Sequence, residues 1–141
     1  MRLHDFIEQR VANLYWREDQ NCAITTLTVL SEIFEIELHQ QVLDSALGMH
    51  GAGKYGAQCG IVEGFLMLIG IYGRKLGFSD KYIVQSCYTC AAKFEAKFGS
   101  LTCKMLRPEG FPEESEPQHF CELLTRHGIE FAVTFIKSLK K

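Results

Sequence analysis

Apolar residues recur along this chain at intervals of three and four, and that period commits most of it to α-helix. Leu3, Phe6, Ile7, Val11, Leu14 and Tyr15 form one stripe and predict a helix over about residues 3–17. The polar run Arg17–Asn21 reads as a turn, and Asn21 suits the N-cap of a second helix over about 22–37. A shorter helix is expected over about 40–47. Residues 48–60, GMHGAGKYGAQCG, hold five glycines and must begin as a loop. A long, central helix is expected next, over about 58–76, with Gly56, Gly60 and Gly64 on one face where another backbone can come close. Ser79 caps a helix over about 80–98 that ends at Gly99. Ser100–Leu106 is a short turn, and RPEGFPEESEPQ, which holds all three prolines, is an irregular solvated connection. His119–Lys141 is expected as one or two helices broken near Gly128, although Ile129, Phe131, Val133 and Phe135 also alternate as a strand would. The fold expected is all-α: a compact single-domain bundle of five to seven helices spanning residues 1–141.

Composition narrows the function. With 15 basic and 17 acidic residues the net charge is −2, which argues against a nucleic-acid binder that relies on a general positive field. The most apolar stretch, Ile61–Tyr72, is twelve residues long and contains Glu63, whereas a membrane span needs about 20. The start, MRLHDFIEQRV, has no apolar run and carries Asp5 and Glu8, so a cytoplasmic protein is expected. In that reducing compartment the six cysteines read as metal ligands or redox-active thiols rather than static disulfides.

Residues 51–56, GAGKYG, fit G-x-G-x-x-G, but the dinucleotide fingerprint needs a preceding strand, and here a helix precedes. A glycine loop shaping a pocket wall is the plainer reading. Cys87 and Cys90, in C-Y-T-C, have the spacing of a zinc or redox pair. Both lie on the apolar stripe of a helix interior, however, and no second C-x-x-C completes a site; simple burial is the plainer reading, and participation in a site is the alternative. Cys22, Cys59, Cys103 and Cys121 differ, because each falls at or near an expected helix start. Backbone N–H groups and the helix dipole there favour a thiolate and should lower a thiol pKa from about 8.5. Their separations are 37, 44 and 18 residues, so any shared site must be assembled by the tertiary fold. Glu63, four residues after Cys59, faces the same way and could take a thiol proton or simply be a surface carboxylate. His50 and His119 are the histidines expected near Cys59 and Cys121, as base or ligand; a lone histidine more often sits at a surface.

Taken together these motifs resemble the C_GCAxxG_C_C family of redox-active proteins from bacteria and archaea. Asn21-Cys22-Ala23 is similar to the family's first element, and Gly51, Gly53 and Gly56 to its glycine loop. Cys59-Gly60-Ile61-Val62-Glu63-Gly64 resembles its C-G-A-x-x-G, with Ile61 in place of alanine. Phe98–Cys103 resembles F-G-S-x-x-C, and Cys121 is the fourth cysteine. The resemblance runs over roughly residues 10–135; Cys87 and Cys90 lie outside it. It implies a redox-active site gathering Cys22, Cys59, Cys103 and Cys121 for thiol/disulfide or electron-transfer chemistry. The same four could instead hold an iron–sulfur cluster or zinc. An unknown redox partner and a homodimer are expected. The contrasting reading is a helical interaction module whose cysteines are structural.

Overall fold

The computed structural model describes residues 1–107 and 121–140, and among them it contains eight helices and no strand. They are α1 Leu3–Trp16, α2 Cys22–Ile33, α3 Gln40–Ser45, α4 Gly51–Lys54, α5 Gly60–Lys75, α6 Asp80–Phe98, α7 Cys103–Leu106 and α8 Glu122–Lys137. The expected count of five to seven is too low because α4 and α7, each a single short turn, sit in segments read as loop and turn. Asn21 caps α2 by accepting from the Ile24 N–H at 2.8 Å, and Ser79 caps α6 by accepting from Tyr82 N–H at 3.1 Å. Gly99, at φ 95°, ends α6 in the left-handed conformation. The second helix stops four residues short of expectation: Glu35 takes φ 56°, and Ile36 N–H turns back to Ser31 O.

The long helix α5 is the axis of the core. Ile61, Val62, Phe65, Leu68 and Ile69 are all buried, and α2, α6 and α8 surround them. Each such side chain contributes about 1.5–3 kcal/mol by leaving water. The glycine face of α5 packs on α2 inside the monomer. A Cβ on Gly64 would stand 2.8 Å from Thr26 Cβ and 2.9 Å from the Ala23 carbonyl. Gly56, expected on the same face, lies before α5 begins, has φ 98°, and packs instead on Lys104. Phe65 of α5 joins Phe94 of α6 and Phe131 of α8, at centroid distances of 5.5 and 6.0 Å.

The C-terminal segment is one helix, not two. Gly128 does not break it; a Cβ there would meet Ile61 Cγ2 at 2.6 Å, so this glycine lets α8 approach α5. The proline-bearing connection and His119 lie outside the described residues. No described helix is long and apolar enough to cross a membrane.

Candidate functional site

Four segments remote in sequence bring their helix starts to one end of the bundle. Cys22 is the first residue of α2, directly after the Asn21 cap. The Asn21 amide also donates to the Ala46 and Leu47 carbonyls at 3.3 and 3.0 Å, tying this start to the end of α3. Cys59 is the N-cap of α5 and Cys103 the first residue of α7. A short antiparallel backbone clasp holds these two together. Cys59 N–H donates to Leu101 O at 2.8 Å, Cys103 N–H to Ala57 O at 2.7 Å, and Gln58 faces Thr102. Cys121 precedes α8, and Thr125 N–H donates to its carbonyl at 2.7 Å. That start is pinned to the end of α1 by the Tyr15–Thr125 hydroxyl pair at 2.5 Å and by Trp16 Nε1 donating to Glu122 at 2.8 Å.

Glycine makes the convergence possible. A Cβ on Gly60 would overlap Cys22 Sγ, and one on Gly51 would come within 3.2 Å of Cys103 Sγ. Gly51, Ala52, Gly53 and Lys54 all have positive φ, a left-handed turn that glycine tolerates and alanine and lysine do not favour. This turn, not a dinucleotide loop, is what GAGKYG builds, and it forms the wall beside Cys103.

The four sulfurs are electrostatic neighbours. A thiolate at Cys22 would be opposed by Cys59, Cys121 and Cys103, and one at Cys59 by Cys121 and Cys103. Among the described residues no disulfide joins any of the six cysteines. Among the described residues, no three Cys, His, Asp or Glu side chains are gathered closely enough to hold a metal ion.

The four cysteines are only 4–7% exposed. At Cys22, Cys59 and Cys103 the expected lowering of thiol pKa at helix starts is overturned, because loss of water is the larger effect. Burial pushes the Cys59 thiol up to about 12, although hydrogen bonds from the Ile61 and Val62 backbone pull the other way. Cys22 is pushed well up by burial and then by its sulfur neighbours. Cys103 is also raised by burial, but the Arg107 guanidinium opposes this through its charge and a hydrogen bond to the thiol. Of these three sulfurs, Cys103 alone has a cation acting on it.

No motif in the sequence marks Arg107. It is 4% exposed, sits four residues after Cys103, and its N–H closes α7 on the Cys103 carbonyl at 2.9 Å. That i, i+4 spacing was the available signal. Tyr15, read only as core, is buried against the same end; a thiolate at Cys22, Cys121 or Cys59 would raise its pKa further. His50 packs over Gly60, and burial followed by the charge of Lys54 lowers its pKa, favouring the neutral ring. Glu63 is half-buried and accepts a hydrogen bond from Gln58, not from a thiol. Cys87 and Cys90 belong elsewhere. Cys90 is fully buried with its thiol pushed up to about 12 by burial, and Cys87 packs against the same core.

A model of the family described as "Putative redox-active protein (C_GCAxxG_C_C)" matches residues 20–135. Comparison with curated proteins and with solved structures returned no match.

Proposed function

The chain belongs to the C_GCAxxG_C_C family of redox-active proteins, and from that premise we propose that Cys22, Cys59, Cys103 and Cys121 form one thiol/disulfide site. The observation that carries this reading is the convergence of four helix starts, each bearing a cysteine, with sulfurs close enough to oppose one another's ionisation. In our reading Cys103 attacks, because the Arg107 guanidinium offsets part of the burial that otherwise disfavours its thiolate. The Cys103 sulfur displaces one sulfur of a disulfide on a partner protein, and that sulfur leaves as a thiol with the Cys103 proton. A neighbouring thiol of the set then attacks the mixed disulfide at Cys103. This forms a disulfide here and releases the partner's second thiol. Two thiols of this chain lose two electrons and two protons, and the partner's disulfide gains them. We place the protein in the cytoplasm, where a reducing environment would return the thiols to their resting state.

One observation favours a second reading. Buried thiolates that repel each other would be relieved by a cation, and four thiolates suit tetrahedral zinc or an iron–sulfur cluster. In this structure the sulfurs are not gathered closely enough to hold a metal ion, so binding one would have to draw them together.

The test is anaerobic purification followed by metal and acid-labile sulfide analysis, a visible spectrum, and thiol counting across a series of redox buffers. The expected result is metal-free protein whose thiols pass reversibly to disulfide, with partner exchange lost in Cys103→Ser. Iron with sulfide, or zinc, that disappears in Cys59→Ser would establish the second reading. Metal-free protein with six unreactive thiols would overturn both. A homodimer, if formed, must use a face other than the glycine face of α5, which α2 already covers.

A further inference from the structure

A cleft of about 620 Å³ lies between α6 and α8, separate from the thiols, and is of the size that holds a small organic molecule. Phe98, Phe131 and Phe135 line it, offering ring surface for stacking or edge-to-face contact. Two lysines of α6 lean over those rings. Lys93 Nζ is 5.7 Å from the Phe135 centroid, and Lys97 Nζ is 5.6 Å from Phe98 and 6.0 Å from Phe131. Both ammonium groups are thus held along the cleft by cation–π attraction, and among the described residues neither forms a salt bridge. The cleft's one carboxylate, Glu130, is engaged by His4 at 2.7 Å. The surface therefore combines an aromatic wall with two positive charges not neutralised by a carboxylate.

We propose that the α6–α8 cleft binds a planar aromatic anion, its ring against Phe98 and Phe131 and its negative group between Lys93 and Lys97. The charges decide the class. An uncharged ring would gain only the apolar contact, and an aromatic cation would be repelled by both lysines. An anion gains charge-assisted hydrogen bonds to the two ammonium groups in place of water.

Fluorescence titration of the full chain with flavin mononucleotide tests this, with riboflavin as the same ring lacking the phosphate. A second anionic ring, 1-anilinonaphthalene-8-sulfonate, guards against a misfit of the flavin's shape. At least one of the two anions should bind, and riboflavin about tenfold more weakly than its phosphate if the flavin is the one that fits. The double variant Lys93→Gln with Lys97→Gln should weaken anion binding about tenfold or more, while Lys93→Arg with Lys97→Arg retains it. Circular dichroism melts would check that each variant folds. No binding of either anion at about 1 mM, or binding unmoved by the glutamine variant in a folded protein, would overturn the proposal. Cys103→Ser should leave this binding unchanged, so the result is independent of the thiol reading.

Discussion

Gly64 and Gly70 lie on the same helix, six residues apart, yet their surroundings differ completely. A methyl at Gly64 would press on Thr26 and on the Ala23 carbonyl, whereas at Gly70 nothing lies within 4 Å. Gly64→Ala should destabilise by about 1–3 kcal/mol through overpacking, and Gly70→Ala should stabilise by about 0.5–1 kcal/mol through helix propensity. Urea unfolding of both variants checks the opposite signs. The buried thiols give a second prediction. In the folded chain Cys59 and Cys90 hold their protons up to about pH 12, while in the unfolded chain they ionise near 9.0. Their folded values are raised, so the stability they confer is complete below pH 9 and is lost as pH climbs towards 12. Each should cost up to about 1.4 kcal/mol per pH unit in that window. Melting temperature under reducing conditions should fall steeply above pH 9, and less steeply in Cys90→Ala measured against its own value at pH 8.

At the scale of elements, the cysteine-bearing starts are held by different devices. The cap of α2 does two jobs: the Asn21 oxygen accepts from Ile24 N–H, and its amide donates to two carbonyls after α3. Asn21→Ala should cost about 1–2 kcal/mol. Asn21→Asp keeps the cap and loses the donor, so it isolates the tie to α3, and chemical denaturation of the pair separates the two contributions. The starts of α5 and α7 are clasped by backbone alone, through bonds in which no side chain takes part. Nothing in residues 56–59 or 101–104 announces that pairing, because any residue with a free N–H can make it. The left-handed turn at 51–54 is partly legible, since glycine is frequent there. Ala52 and Lys54 adopt positive φ without the residue type that would have signalled it.

Across the whole molecule, the sites depend on contacts between segments far apart in the chain. Cys22, Cys59, Cys103 and Cys121 lie at least 18 residues from one another, so a disulfide between any two of them closes a loop of that length or more. Oxidation to one such disulfide should raise stability by about 3–4 kcal/mol, as the unfolded chain loses conformational freedom. Comparing reduced and oxidised protein in guanidinium measures this. A decrease would mean that joining the sulfurs strains the four helix starts. The α6–α8 cleft is likewise a product of packing: Lys93, Lys97 and Phe98 come from one helix and Phe131 and Phe135 from another.

What is local in this fold was legible in residue type. The helical period, the caps at Asn21 and Ser79, the left-handed stop at Gly99 and the assignment of four cysteines to helix starts all rest on residues within a turn or two of one another. Those interactions are short-ranged, and residue type alone specifies them. Packing between remote segments set the ionisation of Cys22, Cys59 and Cys103, the place of Arg107 beside Cys103, and the role of Gly128 as a contact rather than a break. The helix dipole that favours a thiolate acts over one turn and can be read from spacing. The desolvation that outweighs it depends on how much water the rest of the fold excludes.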